Sequence, residues 1–258
     1  MEFNRVYLFP QFMTFIKQET NKEVIEKVLE CIRDIADEMG PAGVMGHIEM
    51  IITSLEALLD KNAPCQTRGK EAMSDGVGGE EDDVEEEHES EEDEDDLDHD
   101  EIILGNTTDV MISLARCMTD GFTTYLVRLG PKLVPYLSDE HPKSDKVMAI
   151  GCLGEVLKAC PSAINVYFND FLSVLLKHSQ NPDGQLTRNV SYSFGILAEK
   201  APEALFAPHL LTILQTVKNM HTACEEDAAK ENCVATIIRI IDLYKKHFSE
   251  ADYNVLFD

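Results

Sequence analysis

Few residues in this chain carry ligand or nucleophile chemistry. His221, Cys224 and Cys233 bring an imidazole and two thiols close together in sequence. Structural zinc needs four such groups, usually as paired Cys and His at short, regular spacings. These three match no such set and are read as helix-packing residues. The run GVGG at 76–79 has the glycine content of a phosphate loop. No Lys-Ser/Thr follows it, and the acids that do follow repel phosphate. His88 and His99 lie in an acid-rich run and are read as solvated. Asn106-Thr107-Thr108 and Asn189-Val190-Ser191 are glycosylation sequons, which matter only in a secreted chain. Ser90, within ESEED, has the surroundings of an acidophilic kinase site. Carboxylates are dense, but nothing fixes two of them in a pocket as a paired acid and base. The reading contains no catalytic set, no cofactor and no metal site, so no enzyme is expected.

Charge is the strongest bulk signal. The 258 residues hold 48 acids and 22 bases, a net charge of −26. Seventeen of those acids fall within residues 80–101, which contain no Lys or Arg. The rest of the chain keeps 31 acids against 22 bases, or −9, so the excess is local. An acidic surface repels nucleic acid and anionic lipid and attracts basic partners. Binding to nucleic acid or to a membrane is therefore not expected. No secretory leader and no apolar run of membrane-spanning length is read at this level. Seven irregularly placed cysteines fit a reducing compartment.

The elements that would position any site show up as a repeat. Residues 149–161 (AIGCLGEVLKACP) align with residues 190–202 (VSYSFGILAEKAP) at an offset of 41. Gly154 falls on Gly195, Leu153 on Phe194, and Pro161 on Pro202. Both segments have helical apolar spacing, and each stops at a proline. A period of about 40 with two helices per unit predicts an all-α HEAT-repeat solenoid of about five helix pairs.

Pair one is predicted at 3–18 and 22–39, with Asn21 or Thr20 capping the second helix and Gly40-Pro41 ending it. Val24, Val28, Ile32 and Ile35 are expected on its apolar face. The next first helix is 43–61. Pro41 lies three periods before Pro161, but the marker expected near residue 81 falls inside the acid run. One repeat is thus about twice the normal length, which places an insertion at 63–102, between the two helices of a single repeat. Its composition cannot bury enough apolar surface to fold, and it is expected to be disordered. The expected organisation is 1–62, the acidic insertion 63–102, and 103–258. Further helices are predicted at 106–120, 122–138, 144–160, 163–179, 186–200, 203–221 and 226–247. Residues 249–258 read as the opening of a sixth repeat, so the chain is expected to be part of a longer solenoid.

The stretches SDKVMAIGCLGEVLKA, LTRNVSYSFGILAEKAP and KENCVATIIRII resemble late HEAT repeats of the importin-β family of nuclear import receptors, and are most similar to its importin-4-like branch. An acid-rich insertion before a helix of the type TDVMISLARCM is also typical of that branch. The resemblance implies a receptor that carries basic cargo, such as histone tails and ribosomal proteins, through nuclear pores. It further implies nucleoporins and Ran-GTP as partners of the full-length receptor, and shuttling between cytoplasm and nucleus.

In this family the second, or B, helices line the concave, cargo-facing side. The motif positions that carry over are Asn189, Asn232 and Glu155. Ser193 and Thr236 lie one turn after each Asn, on the same face by i+4 spacing. An Asn amide both donates and accepts, so it can clamp the backbone of an extended peptide or, alternatively, join neighbouring repeats as a ladder. The family's usual base two residues before the Asn is Thr187 here, with Arg188 adjacent. Lys230 stands at the matching position of the last B helix, and Arg239 matches a recurrent Arg. Glu85, Glu86, Glu87, Glu91, Glu92, Asp93, Glu94, Asp95 and Asp96 are read as an electrostatic lure for basic cargo. The competing reading is an acidic, chaperone-like or scaffold module that shields basic proteins without transporting them.

Overall fold

The computed structural model describes residues 7–67 and 89–249, with side chains described for 7–67 and 100–249. The GVGG run, His88, Glu85, Glu86, Glu87 and, of the sixth-repeat opening, residues 250–258 lie outside the described residues. Among the described residues all regular structure is helical. In chain order the α-helices follow one another as five pairs, as an all-α HEAT-repeat solenoid requires. Pair one is α1 (Phe9–Gln18) and α2 (Lys22–Met39). Pair two is α3 (Pro41–Val44) running through a short 3₁₀ turn into α4 (Ile48–Leu59), followed by α5 (Glu89–Met118). Pair three is α6 (Thr123–Leu133) and α7 (Lys143–Ala159). Pair four is α8 (Pro161–His178) and α9 (Gly184–Lys200). Pair five is α10 (Glu203–Phe206) leading into α11 (Leu210–Ala223), then α12 (Asp227–Tyr244).

The backbone divides into two compact units. Unit 1 is Met1–Met118 with Thr124–Pro135, and unit 2 is Thr119–Thr123 with Tyr136–Asp258. In unit 1 the local signals act as expected. Asn21 Oδ1 accepts from the Glu23 and Val24 amides at 2.8 and 3.4 Å, capping α2. Gly40 ends α2 at φ +60°, a conformation that a side chain disfavours. Ile25, Val28, Leu29, Ile32 and Ala36 are buried on α2, whereas Val24 and Ile35 are only half-buried. The core face is therefore centred one residue further round than the predicted stripe. The segment Pro41–Thr67 is long and apolar enough, by composition, to cross a membrane, contrary to the first impression from the sequence. Half of that window is buried, and α4 packs on α1 and α5, as a core helix does.

Helix α5 begins at Glu89, so its first turns reach into the segment read as the insertion. Asp100, near the described base of that segment, is held by Lys22 at 3.1 Å and Lys61 at 3.7 Å. Pro131 lies inside α6, which passes into a 3₁₀ turn at Val134. Proline removes a backbone donor, and the α-helical run stops two residues later, at Leu133.

In unit 2 the starts of α8 and α9 are fixed by named groups. Asp120 Oδ1 accepts from the Ser162 amide at 2.9 Å and its hydroxyl at 2.6 Å, in the first turn of α8. Asp183 Oδ1 accepts from the Leu186 amide at 3.1 Å and caps α9. Phe168, Phe206 and Tyr244 run through the core, with ring centroids 6.5 Å apart for the first pair and 4.9 Å for the second. The Tyr244 hydroxyl donates to Ala198 O at 3.1 Å, so its one polar atom is satisfied.

His178, at the end of α8, is 6% exposed and its Nε2 has no partner. Burial pushes its imidazole below the ordinary value, with Lys177 and Lys146 adding to that, while the bond to the Leu137 backbone and nearby Asp139 oppose it. The unfolded chain then takes up a proton on this ring at a higher pH than the folded one. Stability is lost as pH falls through about 6.5. His178→Gln should flatten this part of the profile. Urea unfolding of both proteins at pH 7.5 and 5.5 checks it: the loss on acidification should be larger with histidine at 178.

Candidate functional site

The B helices α7, α9 and α12 of unit 2 lie side by side, with α9 in the middle. Their contact depends on glycine. A Cβ on Gly151 would lie 3.0 Å from Asn189 Nδ2, and one on Gly154 would lie 2.7 Å from Ser193 Oγ. A Cβ on Gly195 would meet Arg239 Nη1 at 3.0 Å and Thr236 Oγ1 at 3.6 Å. Helices α7 and α9 thus each carry a notch that receives polar side chains from the next helix. The aligned Gly154 and Gly195 are the same notch, one repeat apart.

Cross-repeat hydrogen bonds run beside the notches. Asn189 Nδ2 donates to Val147 O at 2.8 Å, from α9 to α7. Thr236 Oγ1 donates to Ser191 O at 3.0 Å, from α12 to α9. Helical carbonyls that already accept within their own helix keep a second lone pair for such bonds.

The sequence-derived residues divide accordingly. Ser193 is 0% exposed and Thr236 is 3% exposed, both sealed between helices. The i+4 spacing put them on the face of the asparagines, and that face packs on the neighbouring helix. In this placement neither offers an atom to a ligand outside. Asn189 is half-buried with its amide engaged by Val147, the ladder arrangement. Asn232 is exposed on α12 and Glu155 is half-buried on α7. Glu91, Glu92, Asp93, Glu94, Asp95 and Asp96 fall on the backbone of α5. Cys224 and Cys233 are buried, and burial pushes the Cys233 thiol up to about 11, which suits core packing and not a thiolate ligand.

Two residues that sequence reasoning missed complete a polar cluster on the α7–α9 seam. The Tyr192 hydroxyl lies 2.5 Å from Glu155 Oε1, to which it donates. Lys158 Nζ donates to the same phenol oxygen at 2.6 Å and lies 3.5 Å from Glu155 Oε1. The ammonium also sits 5.4 Å from the centre of the Tyr192 ring, within cation–π range. Burial and the neighbouring carboxylate raise the Tyr192 phenol, which stays neutral, and the bond to Tyr192 raises Lys158, which stays charged. The i,i+3 spacing of Glu155 and Lys158 was readable in sequence; the partnership with Tyr192, a repeat away, was not. Towards the start of α9, Arg188 pairs with Glu226 at 3.2 Å. The face thus presents mixed charge and amide groups along the edges of α7, α9 and α12.

An all-α array of two-helix repeats whose B helices pack side by side through such notches is a HEAT-type α-solenoid. Residues 99–242 match the family described as importin subunit beta-1-like, TPR repeats, and the chain belongs to that importin-β family. It is 27% identical over 144 residues to a Schizosaccharomyces pombe protein described as a probable importin subunit beta-4, covering 56% of this chain and 13% of that one. It is 24% identical over 237 residues to Homo sapiens importin-4, covering 90% of this chain and 20% of that one. The chain therefore spans a fifth or less of the length of these relatives. Among solved structures, the karyopherin Kap121p bound to the SUMO protease Ulp1p superposes with a TM-score of 0.65 at 17% identity, over 96% of this chain and 22% of that one.

Proposed function

We propose that this chain is the cargo-holding part of a nuclear transport receptor, and that the B-helix face of unit 2 takes basic segments of its cargo. The observation that carries the reading is the α7–α9 seam, where Glu155 and Tyr192 meet a cation at the surface while Asn232 stands exposed one helix further on. Family membership and the Kap121p–Ulp1p complex support a polypeptide ligand. The net charge of −26 favours a basic one, and histone tails or ribosomal proteins fit that chemistry. Nucleoporins and Ran-GTP are partners of the full-length receptor, which works between cytoplasm and nucleus without catalysing a reaction.

A second reading is favoured by one observation, the acid run entering α5. In it the acids alone shield basic proteins, with no role for the repeats. The two are separated by titrating a fluorescent Lys-rich peptide into the full chain at low and moderate salt. The comparison is a variant in which the acids among residues 85–96 are replaced by their amides. Retained binding in that variant, weakened about tenfold by Glu155→Gln combined with Asn232→Ala, is the expected result. Binding that disappears with the acids would leave the shielding reading in its place.

A further inference from the structure

Resting on the reading that this face takes basic segments, we propose that Lys158 is a built-in competitor. Its ammonium fills the slot between Glu155 and Tyr192 in which a lysine or arginine side chain of the ligand docks. The slot has three features that select a cation: a carboxylate oxygen, a phenol lone pair and an aromatic face. The phenol's single hydrogen is given to Glu155, which leaves its lone pair for the ammonium. A cation is thus already bound, and it is the chain's own.

The occupant is also exchangeable. Lys158 stands on α7 three residues after Glu155, and its side chain is 44% exposed. Its flexible stem has other staggered conformations that place the ammonium in water. A ligand cation can enter as Lys158 leaves, and Tyr192 and Glu155 need not move. Such an exchange replaces one ion pair with another, so a single ligand charge gains little. A segment that places several cations along successive B helices gains at the other positions and bears the exchange only once. Lys158 thereby sets a threshold, rejecting weakly basic segments by competition, as specificity often requires.

The test uses the full chain and a short fluorescent oligolysine peptide. Lys158→Met keeps most of the apolar stem and removes the charge. It should bind the peptide about fivefold more tightly than wild type. Lys177→Met removes the same charge from α8, where Lys177 pairs with Asp139 at 3.3 Å, and should leave affinity unchanged. In the Lys158→Met background, Tyr192→Phe should give back part of the gain. Equal gains in the Lys158 and Lys177 variants would reduce the effect to net charge and overturn the proposal. An unchanged or weaker Lys158→Met, with wild-type binding still sensitive to Glu155→Gln, would overturn it too while leaving the peptide-binding reading intact. If neither wild type nor Lys158→Met binds the peptide, that reading and the competitor role fall together.

Discussion

Phe206→Ala lowers the stability of unit 2 by about 3–5 kcal/mol, the largest single effect expected in the chain. Phe206 is fully buried and lies between Phe168 and Tyr244, so truncation loses two ring contacts as well as buried area. It sits in α10, a single turn held at both ends by neighbouring helices, so the walls cannot easily collapse into the cavity. The Tyr244 hydroxyl remains bonded to Ala198 O, which keeps α12 from sliding in to fill the gap. Urea unfolding followed by circular dichroism measures the loss. Amide hydrogen exchange in α9 and α12 tests its location, because repeats couple mainly to their neighbours. A loss below about 1 kcal/mol would mean that this aromatic row does not bear on the stability of the core.

Gly154→Val is the second large effect, about 3 kcal/mol, with a different origin. Here nothing is removed. A Cβ alone would lie 2.7 Å from Ser193 Oγ, and the two γ-carbons of valine reach further into α9. Ser193 is fully buried on a short side chain and cannot swing clear, so α9 must back away from α7. That movement stretches the Asn189–Val147 bond and opens the Glu155–Tyr192 seam. Gly195→Ala gives the contrast. Its new Cβ meets the far end of Arg239 at 3.0 Å, and a flexible guanidinium can move aside. The gain in helix propensity, about 1 kcal/mol, then offsets most of the cost. Thermal unfolding of the two variants, with peptide affinity as a second readout, separates them. Similar losses in both would show that the notches do not differ as the geometry says.

Much of the repeat organisation was legible because prolines and glycines punctuate it. Pro41, Pro161 and Pro202 mark helix boundaries, and the 41-residue offset of Gly154 and Gly195 gives the period. The meaning of those glycines was not legible, since a notch is defined by what enters it from another repeat. The same holds for Ser193 and Thr236: spacing gives the face of a helix but not which neighbour covers it. The start of α5 was missed for another reason. Acids cannot form a core, which argues against a fold, yet Glu is a good helix former and negative charge favours a helix N-terminus. A helix formed by the residues that follow can therefore extend back to Glu89. Tyr192 was passed over because its hydroxyl meets Glu155, 37 positions away.

The clamp of Lys22 and Lys61 on Asp100 has an evolutionary consequence. Lys22 opens α2 and Lys61 follows α4, so α5 is moored at Asp100 to pair one and to the end of α4. The closure entropy of a loop grows only logarithmically, about 0.6 kcal/mol for each doubling of length. Changes of length or charge in the sequence that precedes α5 are therefore expected to have little effect on the packing of α2, α4 and α5. The moored repeat supplies an architecture that drifts slowly, and the segment between its helices is a port where new charge or new sequence can be tried at small thermodynamic risk.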